Sequence, residues 1–180
     1  MNKKHAIYYL EDKAEHFKNI AKAVKRNLNI HIYPSLENWE KELEIFQEYM
    51  DDTNKTTETK VMNLLLNYKL DLVVLDQTIR DATSVGTRIY EDIIRPNSAF
   101  KDLEVIFFSG AKEDPDMPKK YSTAKFSAFS KKGQSKKNGI FLCDQIKDIL
   151  EIPDDSLIAR FKATLNRVKT NTNKQSLWKH

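Results

Sequence analysis

Apolar residues along this chain fall into two alternating rhythms. In short runs, His5 to Leu10, Leu72 to Leu75 and Leu103 to Phe108, nearly every position is apolar. Such runs suit strands buried on both faces of a parallel sheet. Between and beyond them, apolar residues recur at steps of three and four. Ala14, Phe17, Ile20, Ala21, Val24 and Leu28 make one stripe, and Leu36, Trp39, Leu43, Phe46 and Met50 make another. Val85, Ile89, Tyr90, Ile93 and Ile94 make a third, ending near Pro96, and each stripe predicts an amphipathic helix. The second of these helices is expected to start near Ser35. Asn29 to Tyr33, stopped by Pro34, and Phe126 to Ser130 read as the remaining strands, and residues 140–150 as a helix. Five strands alternating with helices predict a single α/β domain built on a doubly wound five-stranded parallel sheet.

Two stretches depart from this regular alternation. Residues 34–69 separate the second and third strands, enough for a lengthened helix plus an extra one over Val61 to Tyr68. DDTNKTTETK, residues 51–60, has no apolar side chain and reads as an exposed turn or loop. After residue 152, Leu157, Ile158, Phe161, Leu165 and Val168 stripe a last helix. The organisation expected is therefore a domain over 1–152, with an enlarged helical region at 34–69, and a C-terminal helix and tail over 153–180.

Charge sharpens that division. The net charge of the 180 residues is +4, and six basic against two acidic residues between Pro153 and His180 account for all of it. The body is neutral, so nucleic-acid binding by the core is unfavoured and only the tail is open to an acidic partner. No segment approaches the length of a membrane span, which points to a cytoplasmic protein without membrane contact. Cys143 is the only cysteine, which excludes an internal disulfide and a cysteine-based zinc site. His5, His16, His31 and His180 show no metal-binding spacing and read as ordinary surface or strand residues.

In a doubly wound sheet, ligands bind outside the carboxyl ends of the strands. The residues just past those ends are Glu11-Asp12, Asp76, Ser109-Gly110 and Lys131-Lys132. Taken singly, each has a plain alternative: Asp76 as a turn cap, Glu11-Asp12 as a helix N-terminus, Ser109 as a turn, Lys131 as a solvated strand end. Together they bring three carboxylates, a hydroxyl and an amine to one rim. Clustered carboxylates need a cation, and an all-oxygen ligand set favours Mg²⁺. One carboxylate can then act as a nucleophile toward phosphorus while the hydroxyl and ammonium bind phosphoryl oxygens.

YYLED at 8–12, LVVLDQTI at 72–79, Gly86, VIFFSG at 105–110 and AFSKKG at 128–133 occur in this order at the ends of successive strands. In these pieces, over roughly residues 3–150, the chain resembles the receiver domains of two-component response regulators. The resemblance implies a flavodoxin-like fold with strand order 2-1-3-4-5. It implies that Asp76 accepts a phosphoryl group from a histidine kinase or phosphotransfer protein, and that the chain is a phosphoacceptor signalling protein rather than an enzyme acting on other substrates. Asp12 would hold Mg²⁺ directly, Glu11 through water, and the backbone carbonyl of Thr78 would be a further ligand. Ser109 and Lys131 would bind the phosphoryl oxygens.

The chain also departs from the receiver pattern. Lys132 stands where a proline usually follows the lysine, and it competes with Lys131 for the role. With Lys131 chosen, Ala128 occupies the switch position normally held by an aromatic residue. Arg80 replaces a common proline, and the loop from Asp76 to Gly86 is long. Neither Trp39 nor Trp178 is placed near the site by this reading. The tail is too short for a DNA-binding output domain, so output is expected through contacts with another protein. A homodimer is compatible with this. The competing readings are a receiver-like interaction module that is not phosphorylated, nucleic-acid binding through the basic tail, and a haloacid-type phosphatase. The last is disfavoured because Thr78 stands where its second acid belongs.

Overall fold

The structure, a computed structural model, describes residues 4–80, 82–109, 126–130 and 135–152, with only the backbone of 109, 126–130 and 135–140. Two compact units divide the chain, Met1–Asp144 and Gln145–His180. Five strands form one parallel sheet: β1 (Ala6–Leu10), β2 (His31–Tyr33), β3 (Leu72–Leu75), β6 (Glu104–Ser109) and β7 (Phe126–Ser130). Their order is β2-β1-β3-β6-β7, all pairs parallel. This is the flavodoxin-like order expected. Between β3 and β6 lies a small antiparallel hairpin, β4 (Thr78–Ile79) and β5 (Ala82–Thr83), which the hydrophobic pattern did not reveal.

Helices cover both faces of the sheet. On one face, α1 (Ala14–Asn27) buries Phe17, Ile20, Ala21 and Val24, the stripe read from the sequence. On the other, α2 (Trp39–Asp51), α3 (Lys55–Asn67) and α4 (Val85–Ile89), which continues as a π-helical turn over Tyr90–Ile94, pack on Tyr8, Leu10, Val73, Leu75, Val105 and Phe107. A helix α5 spans Ser135–Ile149 and crosses from the first unit into the second. Among the described residues no helix is long and apolar enough to cross a membrane.

The enlarged region between β2 and β3 holds two helices, as expected, but their boundaries differ. α2 begins at Trp39 rather than near Ser35. Residues 51–60 are only in part a loop: α3 starts at Lys55, because Asn54 caps the backbone N–H groups of Thr56 and Thr57 while the Thr57 hydroxyl accepts from the Asn54 N–H. This reciprocal capping satisfies orphan donors and lets a polar first turn be helical without apolar side chains. α5 likewise begins five residues before the predicted 140. Residues 153–180, with the predicted tail helix, lie outside the described residues.

Candidate functional site

Strand register places the chemistry. Leu10 pairs with Leu75, Leu75 with Phe107 and Phe107 with Ala128, so these four residues form one row across the sheet. One residue beyond that row stand Glu11 on β1 and Asp76 on β3, and one further stand Asp12 and Ser109. The two central strands thus end side by side on acids. Carboxylate oxygens of Glu11, Asp12 and Asp76 lie within 4.8 Å of one another. Glu11 and Asp76 are only 1% and 4% exposed, and Asp12 is half-buried.

Each carboxylate is oriented by its neighbours. Glu11 accepts from the Tyr9 hydroxyl on Oε2 (2.8 Å) and from the Lys13 backbone N–H on Oε1 (3.2 Å), with His16 Nδ1 at 3.8 Å. Burial, then the charge and hydrogen bond of Glu11, push the Tyr9 hydroxyl well above its ordinary pKa, so it stays a neutral donor. Asp76 is held at both ends: its N–H donates to the Leu10 carbonyl (3.2 Å) and its Oδ1 accepts from the Thr78 N–H (3.2 Å). Asp12 Oδ2 accepts from the backbone N–H of Arg80. Arg80 sits in the turn of the β4–β5 hairpin with a left-handed φ of 51°. A proline here, common in the family that the sequence resembles, would have no N–H to offer Asp12 and could not adopt this φ.

Behind Asp76 the next helix approaches closely. A Cβ added at Gly86 would stand 2.9 Å from the Asp76 carbonyl oxygen and 3.0 Å from Leu75 Cβ, so only glycine lets α4 begin against the end of β3. Gln77 fastens the same junction. Its carbonyl accepts from the Val85 N–H (3.0 Å), and its Oε1 accepts from the Thr87 hydroxyl (2.9 Å).

Trp39 corrects the sequence reading. Its indole N–H donates to the Glu11 backbone carbonyl (2.9 Å), and its ring lies 6.1 Å from that of Phe17, which is stacked on Tyr9 at 5.8 Å. The start of α2 therefore braces the acidic pair from the main-chain side. Trp39 looked like an ordinary member of a helical stripe, and a stripe tells which face is buried, not what lies across from it. His16 is a surface residue, as expected, with its Nδ1 3.8 Å from Glu11 Oε1.

Of the residues expected at the site, Glu11, Asp12, Asp76 and Thr78 are brought together. Ser109 ends β6 opposite Ser130 of β7, and its side chain is outside the description. Lys131, Lys132 and Gly110 lie outside the described residues. The three carboxylates offer only oxygen donors, two of them buried, which is the chemistry a small hard dication needs and no neutral ligand matches. The residues present fit Mg²⁺ on that ground.

No family model matches the chain, and no curated protein matches it. Solved structures do. The phosphorylated cyanobacterial phytochrome response regulator RcpA aligns over 84% of this chain and 97% of its own, with a TM-score of 0.58 and 14% identity. A response regulator from Thermotoga maritima aligns over 83% and 99%, with a TM-score of 0.50 and 13% identity. Sheet order, helix placement and these alignments agree: the chain has the fold of a response regulator receiver domain.

Proposed function

We propose that residues 1–152 act as a phosphoacceptor receiver in a cytoplasmic signalling pathway, with Asp76 taking a phosphoryl group from a histidine kinase or phosphotransfer protein. The observation that carries this is the convergence of the Glu11, Asp12 and Asp76 carboxylates within 4.8 Å at the ends of two adjacent strands of a receiver fold. Asp12 and Asp76, with the Thr78 carbonyl, would hold Mg²⁺, and Glu11, engaged by Tyr9 and Lys13, would hold it through water. The ion would supply positive charge against the acids and the incoming phosphoryl oxygens.

An Asp76 oxygen would attack phosphorus, the P–N bond to the donor histidine would break with its electron pair remaining on the departing imidazole nitrogen, and an acyl phosphate would form. The Thr78 N–H on Oδ1 fixes the carboxylate rotamer, which leaves the attacking geometry preset. Ser109, next along the rim on the neighbouring strand, would bond a phosphoryl oxygen, and Lys131, the first residue after β7, would pair with another. Output then runs through the segment after Ser109 and a protein partner that prefers one of two conformations.

Incubation with acetyl phosphate and Mg²⁺, followed by intact mass, tests the reading. One added phosphoryl group that Asp76→Asn abolishes is expected. An unmodified parent protein, or a label that persists in the Asn variant, would overturn it.

A further inference from the structure

The near-zero charge of the body conceals a local excess. α1 carries Lys18, Lys22, Lys25 and Arg26 against the single acid Glu15. All four cations are exposed and none makes an ion pair among the described residues. They border a groove of about 360 Å³ between α1 and the chain leaving β2. Its floor is apolar: Phe17 and Ala21 from α1, then Ile32, Pro34 and Leu36. Leu36 is 54% exposed, the most exposed large hydrophobic side chain among the described residues. From Lys18 to Arg26 the row of cations runs about 12 Å along the helix, some two turns.

We propose that this groove docks a protein partner through an amphipathic acidic segment, its apolar side chains on the Phe17–Leu36 floor and its carboxylates along the lysine row. Charge complementarity selects the occupant. Residues 153–180 carry an apolar stripe of their own, but their net charge has the same sign as the rim, which disfavours the chain's own tail as ligand. Nucleic acid would use the cations and leave the apolar floor without a partner, whereas an amphipathic segment uses both. The groove is also wired to the acidic rim. Its floor residue Phe17 touches Tyr9 and Trp39, the two side chains that hold Glu11, so an occupant pressing on Phe17 changes the surroundings of Trp39. This surface does not depend on Asp76 being phosphorylated.

A displayed library of amphipathic helical peptides, with the positions flanking the apolar face randomised, can be selected against the full chain carrying Trp178→Phe, leaving Trp39 as the sole tryptophan. Enriched peptides should have an excess of Asp and Glu at the flanks and should shift Trp39 emission. They should bind roughly tenfold or more weakly to Lys22→Glu/Lys25→Glu and to Leu36→Asp. These positions are solvent-facing, and unchanged circular dichroism and melting confirm that the variants fold. Selection without acidic preference, equal binding to the variants, or no enrichment overturns the proposal. Binding of single-stranded oligonucleotide or anionic phosphatidylserine vesicles that is lost in the charge-reversed variant, with no acidic peptide selected, assigns the groove to nucleic acid or membrane instead.

Discussion

Tyr8 and Tyr9 are neighbours on β1, point to opposite faces of the sheet, and each donates its hydroxyl to a buried glutamate. On the α2–α3 side, Glu42 takes the Tyr8 hydroxyl on Oε2 (3.0 Å) and the Tyr68 hydroxyl on Oε1, and Tyr33 stacks on Tyr68 at 4.2 Å. On the α1 side, Glu11 takes the Tyr9 hydroxyl but shares its surroundings with Asp12 and Asp76. Both tyrosines are held protonated, first by burial and then by their glutamate. What differs is closure. Each oxygen of Glu42 accepts from one neutral hydroxyl, whereas at the rim three carboxylates lie within 4.8 Å of one another. A buried acid among neutral donors thus serves as a structural fastener, whereas acids gathered against one another make a chemical site.

The largest effect should come from opening the closed network. Glu42→Ala leaves two tyrosine hydroxyls without their acceptor and should lower unfolding free energy by about 2–4 kcal/mol in urea titration. Mg²⁺ affinity of the folded protein should be retained. A loss below about 1 kcal/mol would mean that water or other groups take over, and that the network is not closed.

The next contrast lies within the rim. Asp12→Ala should weaken Mg²⁺ binding about a hundredfold by calorimetry, close to 2.7 kcal/mol, because it removes a direct ligand. Glu11→Ala should cost about tenfold, the effect of an outer-shell partner. Equal losses would place both acids on the ion, and no loss for Asp12→Ala would remove the metal site.

Neutralising a rim acid should then have the opposite sign to opening the Glu42 network. In chelator, Asp12→Asn relieves repulsion while its amide oxygen still accepts from the Arg80 N–H, so stability should rise by about 1 kcal/mol. A lower melting temperature than the parent would show that the rim is already neutralised without metal. The smallest effect belongs to the surface. Lys60 and Glu48 meet at 2.6 Å but are each about half exposed, and Lys60→Ala should change stability by less than about 0.5 kcal/mol.

Much of the comparison is legible in the sequence. Apolar runs ending on Glu11 and Asp76 signalled the rim, because a carboxylate closing a buried strand demands an explanation from local sequence alone. Glu42 gave no such signal. It sits in the first turn of α2, where an acid is ordinary for its favourable position in the helix dipole. Its burial depends on Tyr8 and Tyr68, 34 and 26 residues away in the chain. The same holds for Trp39, whose partner Glu11 is 28 residues distant.

Periodicity and strand-end residues determined the sheet, the helices on its faces and the identity of the acids at the rim, since these follow from which side chains leave water and in what rhythm. The start of α3 at Lys55, the β4–β5 hairpin that turns the Arg80 N–H onto Asp12, and the bracing of Glu11 by Tyr9 and Trp39 were decided only by the folded chain. These depend on the direction of single donors toward acceptors brought close by other elements. Hydrophobic pattern carries burial but not direction, and a hydrogen bond exists only when both ends are in place.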